Sequence, residues 1–385
     1  MAVYRWILTD REQAISVSAG QIGPSEVAGS PTNWSVKKQT LACGKSAGVE
    51  SIEIDNGKIC LVVIPTRGMN LWKATAGEKT LGWRSPVDGP VHPAFVPLAE
   101  PSGLGWLDGF DELLVRCGLE SNGAPEFNDN GSLRYGLHGR IANLPAHHVS
   151  VSVDADGISV TGEVDETRFH FQKLRLTTTL KIPFGKAAFS LHDEVTNLGG
   201  AAKPMQMLYH FNIGRPLLDA GSRLVAPVKT LVPRNDHAAK DVAAYDSYLD
   251  EQAGYEEQVY FFDLHADAAG ATQSMIKNAH GTEGVSVRFN KKQLPCFTQW
   301  KDTMAGADGY VTGMEPATNF PNPRSFEGEQ RREVVLEPGQ SQAFDLDFAW
   351  HLSADEVQRA EAAIAELQQA GAPKIHETPQ PGWCA

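Results

Sequence analysis

An all-β, mainly antiparallel fold with one helix near its C-terminus is what this chain predicts. Three observations carry that expectation. Apolar and polar residues alternate with period two in one segment after another; turn residues separate those segments at short intervals; and a single stretch, beginning at Ser353, shows helical spacing instead. At 385 residues the chain can bury a large core, and 42% apolar with 21% charged residues is the balance of a globular protein rather than a disordered or fibrous one.

Taken in order, Val49 to Pro65 alternates on both sides of Asn56-Gly57, a dipeptide that favours positive φ at both centres of a type I′ turn, and so predicts a β-hairpin. Val149 to Val153, the polar turn Asp154-Ala155-Asp156-Gly157 and Ile158 to Gly162 predict a second. Further strands are expected at Lys173 to Ile182, Ala187 to Val195, Val285 to Phe289, Arg331 to Leu336 and Ala343 to Trp350. Ser353-Ala354-Asp355-Glu356 reads as a capping box, and Val357, Ala360, Ile364 and Leu367 share one helical face before Gly371 and Pro373 stop it. That helix should pack on the outside of the sheets. Trp83 to Asn130 and Pro227 to Gly254 lack periodicity and are expected to be long surface loops, of the kind a rigid sheet holds over a cleft. The expected organisation is a lead-in over residues 1–48 that packs on the main domain, a β-rich body over 49–352, and a helix and tail over 353–385.

The net charge of -13 argues against broad contact with nucleic acid or with an anionic membrane, and points to a small, neutral partner. Five cysteines, Cys43, Cys60, Cys117, Cys296 and Cys384, contain no C-x-x-C pair and fit reduced thiols. No apolar run of signal-peptide length opens the chain, and the longest apolar stretch, Ile59 to Ile64, is strand-sized. A cytoplasmic location is therefore expected.

Chemistry is concentrated in three stretches. His138 and Arg140 flank Gly139; if that segment is extended, both side chains face the same way and form a hydrogen-bonding wall. His210 and Asn212 share a face if Met207 to Ile213 is a strand, and burial there would lower the imidazole pKa unless a carboxylate lies nearby. Glu315, between Gly313-Met314 and Pro316, sits where a strand runs into proline-rich turns. Alone, each has a structural alternative: a turn histidine, a satisfied core histidine, a carboxylate capping a turn. His147-His148 would point to opposite faces of a strand and could not easily share a metal ion. No dinucleotide fingerprint, P-loop or nucleophile elbow occurs.

In this order, Leu137-His138-Gly139, Tyr209-His210-Phe211-Asn212 and Glu315-Pro316-Ala317-Thr318-Asn319 resemble the two histidine motifs and the late glutamate motif of the galactose mutarotase (aldose 1-epimerase) family. Pro65-Thr66-Arg67-Gly68-Met69, Cys117-Gly118-Leu119, His138-Gly139-Arg140 and Trp300-Lys301 are similar to one poorly characterised branch of it, and the resemblance spans Val49 to Trp350. It implies a β-supersandwich whose concave face binds a pyranose. Glu315 would be the general base, His210 the general acid and His138 a binding residue, with a small-molecule carbohydrate as partner and neither metal nor organic cofactor. The stretch that supplies a substrate arginine ahead of the first histidine in ordinary mutarotases is absent, which makes Arg67 and Arg140 the candidates for that role; the family's usual aspartate has no counterpart that can be placed. Asn212 and Asn319 complete the expected binding set. Trp300 offers a stacking platform, and Lys301 and Arg324 offer charge for an acidic group on the sugar. Two other readings use the same pocket: a non-catalytic carbohydrate-binding or sensing protein, and an epimerase, isomerase or lyase on a modified sugar with a metal at His138 and His210.

Overall fold

In the computed structural model, which describes residues 4–385, the period-two segments assemble into two stacked, mainly antiparallel sheets. One is ten-stranded and contains the expected strands Lys173–Pro183, Ala188–Asn197, Gly284–Asn290 and Ser341–His351, together with the hairpin His148–Val153 and Gly157–Thr167. The other is fourteen-stranded, and its centre runs Gln258–Leu264, Cys296–Asp302, Val311–Ala317, Lys203–Gly214, Leu114–Leu119, Asn70–Ala76. Residues 4–40 are woven into both, Tyr4–Asp10 pairing in the first sheet and Ser35–Thr40 in the second. The architecture is the galactose mutarotase-like β-sandwich that the resemblance implied.

The core lies between the sheets. Strict alternation along Lys173–Pro183 buries Leu174, Leu176, Leu180 and Ile182 against Met205, Met207, Tyr209, Phe211 and Ile213 of the facing sheet, in one continuous cluster. One polar bolt crosses it. Arg116 on Leu114–Leu119 is fully buried and bonds both carboxylate oxygens of Asp193 on Ala188–Asn197, as well as Thr178 Oγ1 at 2.8 Å and the Met69 carbonyl at 3.0 Å. Tyr209 adds its hydroxyl to Asp193 at 2.9 Å.

The helix Ala354–Gln368 starts as its capping sequence requires. Ser353 Oγ accepts from the Glu356 N–H, the Glu356 carboxylate accepts from the Leu352 N–H, and Val357, Ala360 and Ile364 pack on Met275 at the outside of the ten-stranded sheet. None of the described helices is long and apolar enough to cross a membrane.

Two local expectations change. The turn of the first hairpin, between Glu50–Asp55 and Cys60–Ile64, is a four-residue loop with positive φ at Gly57 and not at Asn56. Asn56 instead ties the turn to its surroundings: its Oδ1 accepts from the N–H groups of Lys58 and Ile59, and its Nδ2 donates to the carbonyls of Pro183 and Lys186. The stretch Trp83–Asn130 contains the buried central strand Leu114–Leu119, and Pro227–Gly254 contains the strand Val228–Pro233. The remainder of the first of these loops folds over the face of the fourteen-stranded sheet turned away from the core, so the central strands there are buried on both sides.

Candidate active site

The floor of the site follows from that double burial. Along Lys203–Gly214, the odd-numbered side chains from Met205 to Ile213 enter the core, so Leu208, His210 and Asn212 face the covered side. On Val311–Ala317, Met314 enters the core and Gly313, Glu315 and Ala317 face the same covered side. The register pairs Leu208 with Ala317 and Phe211 with Met314, which sets His210 opposite Glu315. Their side chains meet, with Nε2 3.3 Å from Oε1, at 4% and 2% exposure.

Gly313 makes room for this pair. A β-carbon there would lie 2.7 Å from Glu315 Oε1 and 2.8 Å from His210 Cε1, closer than van der Waals contact allows. Gly313→Ala should therefore leave the fold intact but push the two side chains apart. A loss of activity on an unchanged far-ultraviolet circular dichroism spectrum is the expected result; full activity would show that the pair tolerates displacement.

His138 reaches the same cavity from above, by a route the sequence does not foreshadow. Residues 136–140 form a tight turn, with His138 at φ 56° and Gly139 at φ 71°, stapled to the next strand by Gly118 N–H to the His138 carbonyl and Arg140 N–H to the Gly118 carbonyl. At Gly139 a β-carbon would sit 2.1 Å from the Ser121 carbonyl oxygen, so glycine is required. His138 Nδ1 lies 2.8 Å from the Asn122 carbonyl, which can only accept, so Nδ1 carries the proton and Nε2 is left as an acceptor. Asn122 is in turn locked to Asn319 by reciprocal amide hydrogen bonds of 3.0 and 2.9 Å. Asn319 is thus linked to His138 through Asn122. Asn319→Ala should weaken substrate binding more than turnover, a rise in KM exceeding the fall in kcat; an unchanged KM would contradict it.

The cavity has a volume of about 300 Å³ and is walled by Trp106, Phe110, Leu137, Thr298, Val259 and Trp300. His210 lies edge-on to Phe110 (5.3 Å) and Trp300 (5.5 Å), and His138 edge-on to Trp106 (4.6 Å). Besides the aromatic walls Trp106 and Phe110, two charged lining residues were missed from sequence, Arg234 and Glu257. They stand just beyond the ends of neighbouring strands and pair at 2.8 Å, while Glu257 also accepts from Trp300 Nε1 at 2.7 Å. The one available signal was their position at strand ends bordering a long loop.

Burial dominates the electrostatics. It holds the Glu315 carboxyl well above the usual carboxylate range, with the Glu257 charge adding to the rise and Arg234 opposing it. Burial pushes His210 well below the usual imidazole range, aided by His138 beside it and opposed by Asn212. His138 is lowered too, chiefly by burial. The contacting pair therefore favours a state carrying one shared proton. His210 Nδ1 and Asn212 Oδ1 have no partner among the described residues and sit on one face, two residues apart.

Of the other expected substrate contacts, Trp300 lines the cavity and the rest do not. Arg67 is 1% exposed and spends its guanidinium on Glu112, Asn143 and the carbonyls of Val91 and Gly109, clamping the loop that carries Trp106 and Phe110. Asn212, on the same face as His210, donates to the carbonyls of Glu112 and His210 and does not reach the cavity. Lys301 neighbours Trp300 on a strand and so points to the opposite face, where its ammonium bonds the carbonyls of Ala244 and Ser247 and burial lowers its pKa to about 8. Arg324 bonds the Glu120 carbonyl, the Tyr135 hydroxyl and Glu333. Arg140 enters a different cleft, because the turn at His138-Gly139 is not extended. Among the described residues, no group of three or more His, Cys, Asp or Glu side chains is placed to hold a metal ion.

A family model described as a domain of unknown function (DUF4432) matches residues 46–349. A Klebsiella pneumoniae protein described as a "putative aldose 1-epimerase" is 35% identical to this chain, covering 98% of it and 99% of its own length, with a TM-score of 0.94. A galactose mutarotase-like protein from Clostridium acetobutylicum superposes with a TM-score of 0.56 at 15% identity, covering 82% of this chain and 98% of that one. A galactose mutarotase related enzyme from Lactobacillus acidophilus gives 0.54 at 13% identity, covering 79% and 98%. These two share the fold. No curated protein matches the chain.

Proposed function

The chain belongs to the DUF4432 family, and on that premise we propose that its His210–Glu315 cavity is the active site of a mutarotase, which interconverts the α and β anomers of a free aldose. One observation carries the reading: a buried imidazole nitrogen and a carboxylate oxygen 3.3 Å apart on the floor of a cavity walled by aromatic rings. Ring opening needs a base for the anomeric hydroxyl and an acid for the ring oxygen, acting together.

In this reading, with the pair's one proton on His210, its less favoured place, Glu315 takes the proton of the anomeric hydroxyl while the His210 imidazolium protonates the ring oxygen. The bond between C1 and the ring oxygen breaks and C1 becomes an aldehyde. Rotation about C1–C2 and the reverse transfer close the other anomer. The pair passes from carboxylate and imidazolium to carboxylic acid and imidazole, so no net proton is consumed and nothing is oxidised or reduced. Burial favours the neutral partners, which stabilises the open-chain stage. His138 Nε2 would accept from a further hydroxyl, and Trp300 and Phe110 would face the C–H surface of the sugar. Arg234, the cation that lines the cavity, is neutralised by Glu257, which favours a neutral sugar over an acidic one. The five unpaired cysteines, Cys43 exposed among them, fit carbohydrate metabolism in the cytoplasm as its setting.

The test is one-dimensional NMR of anomeric exchange across a panel of neutral hexoses and pentoses. Exchange faster than in buffer alone is expected for at least one. Saturable binding with no acceleration would replace this reading by that of a non-catalytic sugar-binding protein.

The pH profile gives a second check. Activity requires one proton on the pair, so kcat/KM should fall in acid when His210 also gains one, and in alkali when Glu315 loses its own. The depressed imidazole sets the acid limb and the raised carboxyl the alkaline limb. Glu257 raises the Glu315 pKa, so Glu257→Gln should move the alkaline limb to lower pH; Arg234 lowers it, so Arg234→Gln should move that limb to higher pH. Shifts of the same sign in both variants would refute the assignment.

A further inference from the structure

Across the Gly136–Arg140 turn from the imidazole cavity lies a larger cleft of about 730 Å³, whose lining includes Arg140, Arg168, Ser121, Glu120 and Glu166. Its carboxylates are hydrogen-bonded to neutral donors, which satisfies their oxygens and leaves their charge in place. Glu166 is 1% exposed and accepts from the N–H groups of Leu119 and Glu120 and from Gln172 Nε2, and Glu120 accepts from the same amide at 2.8 Å. The arginines make no such bonds: Arg140 lies close enough to Glu166 for its charge to pull that carboxyl pKa down but is held only through its backbone N–H on the Gly118 carbonyl, and Arg168 rests 4.3 Å over the Phe171 ring. Neither guanidinium has an ion pair or hydrogen bond with a described residue. Ser121 is 2% exposed, and its hydroxyl likewise has no partner among the described residues.

Two guanidiniums without a hydrogen-bonded partner and an orphaned buried hydroxyl in one cleft leave donors for an external acceptor; the buried hydroxyl is the costly one to leave unmet, whereas Arg168 is exposed and solvated. Two guanidinium forks and one hydroxyl match a dianion with three terminal oxygens better than a carboxylate, which has two oxygens and a single charge. The cleft is far larger than a phosphate ion needs, and Leu98, Leu133 and the Tyr135 ring give the surplus an apolar wall. We propose that this cleft binds a small organic phosphate, with the phosphoryl oxygens on Arg140, Arg168 and Ser121 Oγ and the carbon framework against Leu98, Leu133 and Tyr135. The proposal is independent of the anomer-exchange reading and uses none of its residues.

Calorimetric titration of the full chain with phenyl phosphate, benzoate and phenol tests it. Saturable binding of phenyl phosphate is expected, tighter than that of benzoate, with none for phenol. Arg140→Ala and Arg168→Ala should each weaken it by at least about tenfold, the usual effect of removing a charge-assisted hydrogen bond. Glu315→Gln, which alters the other cavity, should leave it unchanged. No saturable binding in the millimolar range, benzoate bound as tightly, undiminished affinity in the arginine variants or loss in Glu315→Gln would each overturn the proposal. If Arg140→Ala fails to fold, the exposed Arg168 carries the same comparison alone.

Discussion

Glu315→Gln should slow catalysed anomer exchange by about 10²–10⁴-fold, the range that a positioned general base contributes, while leaving the protein folded. The amide matches the carboxylate in shape and can still hydrogen-bond His210 across the 3.3 Å gap, so the floor keeps its packing and loses only its proton acceptor. His210→Ala should cost a comparable factor. The informative quantity is the double variant. Because one proton serves both groups, either loss disables the same step, and the combined effect should be far smaller than the product of the two single effects. Exchange rates measured by NMR on a sugar that the unaltered protein accelerates would decide it. Multiplicative losses would mean that the two side chains act separately, and rates equal to the unaltered protein's in the double variant would remove both from the mechanism.

What the sequence disclosed depended on which faces were wet. Lys173–Pro183 and Ser341–His351 have one solvated side and announce themselves by alternation. Leu114-Val115-Arg116-Cys117-Gly118-Leu119 is buried on both sides, carries a charge at its centre and lies among glycines and prolines, so its pattern reads as loop. The same holds for the site. His210 and Glu315 are far apart along the chain, and only the resemblance joined them; their contact depends on a register between Lys203–Gly214 and Val311–Ala317 that no local signal encodes. Arg67 and Lys301 were legible as cations and not as internal clamps, because a cation whose donors are spent on backbone carbonyls looks no different in sequence from a free one. Arg234 and Glu257 escaped notice because residues just past strand ends carry no periodicity.

Asp193→Ala should destabilise the fold by about 3–5 kcal/mol, the cost of leaving a buried charge without its partner. Arg116 has no exposed surface; with Asp193 gone it keeps Thr178 Oγ1 and the Met69 carbonyl, neither of which neutralises it, and the Tyr209 hydroxyl loses its acceptor as well. A companion change sharpens the expectation. Arg116→Met combined with Asp193→Ala removes both charges and fills the space with an apolar chain, and should recover much of the loss, since a well-packed apolar replacement of a buried pair is often neutral. Midpoints of denaturant unfolding at constant m-value would measure both effects. A single-variant loss below about 1 kcal/mol would show that water reaches Arg116 when Asp193 is removed. Activity should follow stability only in part, because Arg116 pairs in register with Tyr209, the residue next to His210. A floor loosened there would let the His210–Glu315 distance drift, so the single variant should lose anomer exchange even at temperatures where it remains folded, and the double variant should regain stability before it regains rate.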